Sequence, residues 1–175
     1  MKIGFCGTMS VGKTTLVNAL KNEPEFENYN FRTERSKHLR DLGIPLNTDS
    51  TLKGQLVFAA ERSIELMQDN IITDRTVIDV MAFCDLSKSM DSAHKFYLNA
   101  TLTYLIGEYD VIFYVSPEGV EIEDNGVRET NAKYRKAIDK KIKSLIQMHR
   151  SNAITLKGTT EERIEQVKNA LVQYV

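Results

Sequence analysis

The chain has 175 residues, enough for one domain with a full core, and its 42% hydrophobic content fits a soluble globular protein. A net charge of −1 gives no global pull toward nucleic acid, although it leaves room for a local basic groove. Cys6 and Cys84 lie far apart with no second pair, which argues against zinc and disulfides and for a reduced, cytoplasmic setting. No stretch is suited to a signal h-region or a membrane span.

In chain order, the apolar run Ile3 to Cys6 predicts a first strand over 2–6. Gly7 to Thr14 reads G-x-x-x-x-G-K-T, and Leu16, Val17, Ala19 and Leu20 follow at helical spacing. A helix is predicted from 13 to about 21, closed by Asn22 and Pro24. Tyr29 to Thr33 predicts a short second strand, and a helical turn with Leu39 and Leu42 on one face ends at Gly43 and Pro45. The next helix is expected from about Ser50 to Gln68, with Leu52, Leu56, Ala59, Ile64 and Met67 facing inward. Ile71 to Thr73 reads as a third strand, followed by helices over Val77 to Leu86 and Ser92 to Ile106, the latter capped by Asp91 or Ser92. Val111 to Val115 is a fourth strand, stopped by Ser116-Pro117. A charged loop, a long helix near Arg128 to His149, a fifth strand at Ala153 to Leu156 and a helix from about Thr160 complete a single domain over 1–175.

Strand, glycine loop and helix in succession are the context that identifies a P-loop. Gly7 and Gly12 let the backbone wrap a polyphosphate with its N–H groups inward, at the positive end of a helix dipole. Gly7, Ser10, Val11, Gly12, Lys13, Thr14 and Thr15 are therefore expected to bind the nucleotide. Lys13 reaches the β- and γ-phosphates, and Thr14 offers its hydroxyl to Mg²⁺.

Apolar strands alternating with helices predict a parallel sheet covered on both faces, whose ligands gather at the strand carboxyl ends. Asp74 and Arg75 follow the third strand. The carboxylate suits a metal position and the guanidinium suits phosphate oxygens, against the alternative of a surface salt bridge. After the second strand, Glu34 has two readings, as a group that orients or deprotonates an acceptor hydroxyl or as an i,i+4 partner of His38. Arg35 is a candidate for an anionic acceptor. Arg128 and Arg135 stand seven apart, two helical turns, beside an expected mobile lid over 118–135, and can meet a phosphoryl group in flight. The later lysines, Lys140 among them, read as a solvated face whose Ile138, Ile142, Leu145 and Ile146 point inward.

The segments GTMSVGKTTL, TERSKHLRDLG, ITDRTVIDVMAF, VSPEGVEIEDNGVRETNAKYRKAIDKKI and ITLKGTTEERIEQV together resemble the P-loop kinase-like domains of the ribosylnicotinamide-kinase (NadR-type) group. More distantly they resemble thymidylate and deoxynucleoside kinases. The resemblance implies a five-stranded parallel sheet in the order 2-3-1-4-5. It also implies an acceptor role for Glu34, metal and phosphate roles for Asp74 and Arg75, lid roles for Arg128 and Arg135, and an adenine-side position for Gly158 and Thr159. Arg32-Thr33-Glu34-Arg35 lacks the proline that follows the thymidylate kinase glutamate, and the NadR adenylyltransferase domain is absent, so the acceptor stays open.

The expected activity is an ATP- and Mg²⁺-dependent phosphotransfer to a nucleoside, nucleotide or related small molecule, with no membrane partner and an undetermined oligomeric state. Two alternatives remain at this point. One is a polynucleotide kinase using the basic 32–40 cluster and the basic helix as a phosphate track. The other is a non-catalytic nucleotide switch, weakened in its GTP form because no N-K-x-D motif occurs.

Overall fold

The computed structural model describes residues 1–33, 35–119, 131–149 and 152–174. Five parallel strands form its centre: β1 (Lys2–Cys6), β2 (Asn30–Arg32), β3 (Ile71–Asp74), β4 (Val111–Val115) and β5 (Ile154–Leu156), in the order β2-β3-β1-β4-β5. β1 lies between β3 and β4, with Phe5 opposite Asp74 on one side and Phe113 on the other. This register sets the carboxyl ends of β1 and β3 side by side. The glycine loop and Asp74-Arg75 therefore emerge at one place on the sheet edge, where open α/β sheets bind their ligands.

Side chains alternate across the pleat and feed two cores. Ile3, Phe5, Val111, Phe113 and Val115 join α1 (Lys13–Leu20) and α7 (Thr160–Leu171) on one face. Phe5 and Phe113 stack there with ring centroids 5.2 Å apart. Cys6, Ile112 and Tyr114 point to the other face, under α4 (Val77–Leu86), α5 (Ser92–Ile106) and α6 (Ala132–His149). α4 is apolar almost all round because neighbouring helices surround it; it packs on α5, on α6 and on α3 (Leu52–Leu66). A short α2 (Ser36–Asp41) follows β2. Cys6 and Cys84 are both free and buried. Among the described residues no helix is long and apolar enough to cross a membrane.

The elements match the sequence expectations closely, with one inversion. α3 does not turn Leu56, Ile64 and Met67 inward; all three are exposed, and Gln55, Arg62, Glu65 and Leu66 are buried in their place. Only Leu52 and Ala59 of the expected set pack partly against the core. The physical reason is that the inner face is built from polar side chains: Arg62 donates to Glu65 at 2.6 Å, and Gln55 lines a recess beside α4. Apolar periodicity locates the core-facing side only where that side is apolar.

Candidate functional site

The glycine loop leaves β1 at Gly7 and enters α1 at Gly12, whose φ of 82° lies in the left-handed region that L side chains rarely adopt. A side chain at Gly7 would also collide, its Cβ lying 2.7 Å from the Val115 carbonyl oxygen. The loop's carbonyl oxygens are held by cations. Lys13 Nζ donates to Gly7 O and Thr8 O, each at 2.7 Å. Arg135, on α6, donates from Nε to Met9 O and from Nη2 to Ser10 O, each at 3.2 Å. Arg163, on α7, donates from Nη1 to Val11 O at 2.7 Å and from Nη2 to Ser116 O at 3.4 Å. With successive carbonyls engaged on one side, the loop has the form of a backbone nest for an anion. Burial lowers the pKa of both arginines, opposed at Arg135 by the Asp139 charge.

On the β3 side, Asp74 is buried and its Oδ2 accepts the Thr14 hydroxyl. No group among the described residues donates to its buried Oδ1. Arg75 has a φ of 99°, donates its backbone N–H to Phe5 O at 2.9 Å and lays its guanidinium over the Phe83 ring, 5.2 Å from the centroid. Its Nη1 stands 3.6 Å from Asp79 Oδ1.

These groups border a cavity of about 220 Å³ lined by loop residues Met9 to Thr14, by Ser36 and Lys37 of α2, by Leu46 and Asn47, and by Asp74, Arg75 and Phe83. Ser10, Asn47 and Arg75 are the non-glycine residues of positive φ among those described, and all three line it. Such conformations cost about 1–3 kcal/mol each and concentrate at functional sites, so their coincidence here is informative. A smaller recess of about 40 Å³ shares Ser36, Leu46, Asn47, Arg75 and Phe83 with this cavity and adds Gln55, Phe58, Asp79 and Val80. Among the described residues Gln55 Oε1 is buried with no hydrogen-bond partner.

With this geometry the family can be read. A family model described as an AAA domain matches residues 2–163. The chain belongs to that family. No curated protein matches it at the level of sequence. Among solved structures it is similar to deoxyadenosine kinase from M. mycoides with bound dCTP, at a TM-score of 0.66 and 19% identity over 99% of this chain and 100% of that one. It is also similar to thymidylate kinase from Candida albicans, at 0.68 and 15% identity over 98% and 91% of the two chains. At such identities the likeness is one of fold. The fold of this AAA-domain chain is accordingly that of the P-loop nucleotide kinases.

The structure brings together Ser10, Val11, Gly12, Lys13, Thr14, Asp74 and Arg75 of the expected set around one cavity. Gly7 and Thr15 lie in the loop and first turn of α1 without lining it. Arg135 reaches the same loop from outside the cavity, through Met9 O and Ser10 O. Arg35 stands 3.7 Å from Glu61 across to α3 and is not among the lining residues. Gly158 and Thr159 open α7, where Thr159 and Glu162 form a capping box that sets the helix carrying Arg163. Glu34, Arg128 and most of the expected 118–135 lid lie outside the described residues.

Three side chains of this site carry no motif. Asp79 is fully buried and accepts from Gly7 N at 3.1 Å, Thr76 N at 2.8 Å and Thr76 Oγ1 at 3.0 Å, joining the loop's start to the capping box of α4. The apolar run around Asp79 gives its only sequence signal, a lone acid where α4 is otherwise hydrophobic. Arg163 and Gln55 give none, because a charge or amide on a helix reads as solvated until the fold shows what covers it.

Proposed function

We propose that the chain is an ATP-dependent kinase that transfers the γ-phosphoryl group to a nucleoside or nucleotide. The observation that carries this reading is the pairing of the Thr14 hydroxyl with Asp74 at the floor of a cavity that continues into a second, partly aromatic recess. A phosphate donor fits the loop side. The recess is lined by Phe58, Phe83 and the Gln55 amide, which suits a flat acceptor with a polar edge.

Mg²⁺ fits the residues present: Thr14 and Asp74 are adjacent hard oxygen donors, and the orphaned Asp74 Oδ1 has a lone pair to give. Thr14 and Asp74 would hold the ion, which would supply positive charge to offset that of the phosphates. The chain's own groups position and polarise. Backbone N–H groups of the loop and the first turn of α1 hold the polyphosphate. Lys13 exchanges its two carbonyl partners for phosphate oxygens. Arg75, braced against Phe83 and Asp79, faces the acceptor side of the same cavity. Glu34 is proposed to serve the acceptor hydroxyl, and Arg128 to cover the phosphates. Transfer then needs positioning and electrostatics more than covalent chemistry.

Acceptor-dependent ADP release, screened over nucleosides, nucleoside monophosphates, ribosylnicotinamide and a 5′-hydroxyl oligonucleotide, tests the proposal. Release with one small acceptor class supports it and decides between the NadR-type and deoxynucleoside-type readings. ATP binding with no acceptor-dependent release by any of them overturns the kinase in favour of a switch.

A further inference from the structure

Two stretches of the recess wall come from elements far apart in sequence. α4 contributes Asp79, Val80 and Phe83, and a strap over 44–50, between α2 and α3, contributes Leu46 and Asn47. Leu46 and Asn47 also border the larger cavity, so the strap stands at the seam between the two.

Asn47 has a φ of 56°, in the left-handed region where an L residue is strained and asparagine is among the best tolerated. Asp49 N donates to Leu46 O and Ser50 N to Asn47 O, each at 3.2 Å, closing one short helical turn. Such local bonds shape the turn without fixing it to the rest of the chain. The fixing comes from the corner that ends α4. Ser87, 2% exposed, donates from Oγ to Ser50 O at 2.6 Å, and Lys88 N donates to Thr48 O at 2.9 Å. That corner is itself held, since Lys95 Nζ of α5 donates to Ser87 O at 2.6 Å and to Asp85 O at 3.0 Å. At the strap's start, Ile44 lies so near α3 that a Cβ on Gly54 would stand 3.2 Å from its Cγ2.

We propose that Ser87 is a positioning residue for the phosphoryl acceptor: it holds the 44–50 strap in place and so sets Leu46 and Asn47 against the recess. The proposal rests on the kinase reading above. Asp79, Val80 and Phe83 of α4 line the recess while the residue that caps its end, Ser87, fixes the strap, so one helix sets the width of the space the acceptor enters. An acceptor that reaches from the recess to the phosphate donor passes Asn47, whose amide can both donate and accept. Without the Ser87 hydroxyl the strap samples positions that do not match the acceptor. Apparent affinity then falls with the fraction of time the strap is in place. The phosphate loop keeps its own supports in Lys13, Arg135 and Arg163.

Hydrogen exchange and steady-state kinetics on the wild type and Ser87→Ala test the proposal. In the variant the amides of Asp49 and Ser50 should exchange about fivefold faster, the factor one neutral hydrogen bond is worth, with β1 and α1 unchanged. The KM for the acceptor that supports ADP release should rise about two- to fivefold, by more than the ATP KM. A general loss of stability would instead speed exchange in the core strands as well, and would overturn the proposal. Should Ser87→Ala fail to fold, Asn47→Gly decides, because it keeps the left-handed backbone and removes the amide. It is expected to raise the acceptor KM by more than the ATP KM. An active wild type whose folded variants leave the acceptor KM unchanged, or whose strap amides exchange no faster in Ser87→Ala, overturns the proposal and spares the kinase reading. A wild type that releases no ADP with any acceptor overturns both.

Discussion

Asp74 combines two properties that rarely meet in a structural residue: nearly complete burial, and a carboxylate oxygen with no hydrogen-bond donor among the described residues. Leaving a buried charged atom unpaired costs more than a neutral hydrogen bond returns, so a role that uses that oxygen is the economical explanation. Asp74→Asn keeps the shape and removes the charge. The expected outcome is a rise of at least about tenfold in the Mg²⁺ concentration that half-saturates ADP release, in the range known for altered metal surroundings, with little change in thermal stability. Magnesium titrations of both proteins measure it, and an unchanged titration with lowered stability would make Asp74 a structural partner of Thr14. Asp74 was legible in the sequence because it ends a buried strand, and the loop because its glycines and Lys13-Thr14 keep a fixed spacing. Asp79 and Arg163 were not. Their partners are the backbone of Gly7 and Val11, 72 and 152 residues away, and a backbone partner leaves no trace in composition.

At the scale of elements, α7 and α3 show polar residues doing work that periodicity assigns to apolar ones. Arg163 spans the Val11 and Ser116 carbonyls from beneath the loop. Arg163→Ala removes both charge-assisted bonds and leaves a gap. Stability should fall by about 2 kcal/mol or more, and the ATP KM should rise because the loop loses its anchor on α7. Arg163→Lys, which keeps the charge but not the fork, should fall between the two. Calorimetry and steady-state kinetics on the three proteins separate these effects; a KM unchanged in Arg163→Ala would confine Arg163 to stability alone.

In α3 the buried Glu65 has its pKa raised to about 6, chiefly by desolvation, with Arg62 and Arg32 opposing and Glu61 reinforcing the shift. A carboxyl group raised in the folded state binds more protons there than when unfolded. Its contribution to stability is therefore greatest at low pH and is lost as pH rises from the ordinary carboxylate range through about 6. The loss is on the order of 1–2 kcal/mol. Wild-type stability should accordingly fall relative to Glu65→Gln over that window and run parallel to it above. Denaturant unfolding at closely spaced pH values checks the sign. A difference that grows in the opposite direction would mean that the Arg62 ion pair outweighs desolvation.

Across the whole molecule, the two helix layers meet at the glycine loop. Arg135 descends from α6 in one layer and Arg163 rises from α7 in the other, while Lys13 and Asp79 tie the loop's ends to α1 and α4. Strand order followed from the family resemblance and strand positions from apolar runs. This convergence followed from neither, since it depends on which faces of four helices turn toward one point.

The convergence makes a global prediction. A ligand that binds only the folded loop stabilises the whole chain by mass action, by about 2.7 kcal/mol at a hundredfold excess over its Kd. In a domain of this size each kcal/mol corresponds to roughly 2–4 °C, so MgATP at that excess should raise Tm by about 5–11 °C. Lys13→Ala removes two loop hydrogen bonds and should itself lower stability by only about 1–2 kcal/mol. It should nevertheless abolish most of the MgATP shift, because the lysine's phosphate contacts are lost with it. Differential scanning calorimetry of both proteins, with and without MgATP, measures the effect on the folding transition itself. One cooperative transition that moves as a unit in the wild type is the expected form, since the loop is pinned to both cores. A transition that splits, with only part of it shifted by MgATP, would mean that one helix layer unfolds independently of the nucleotide site.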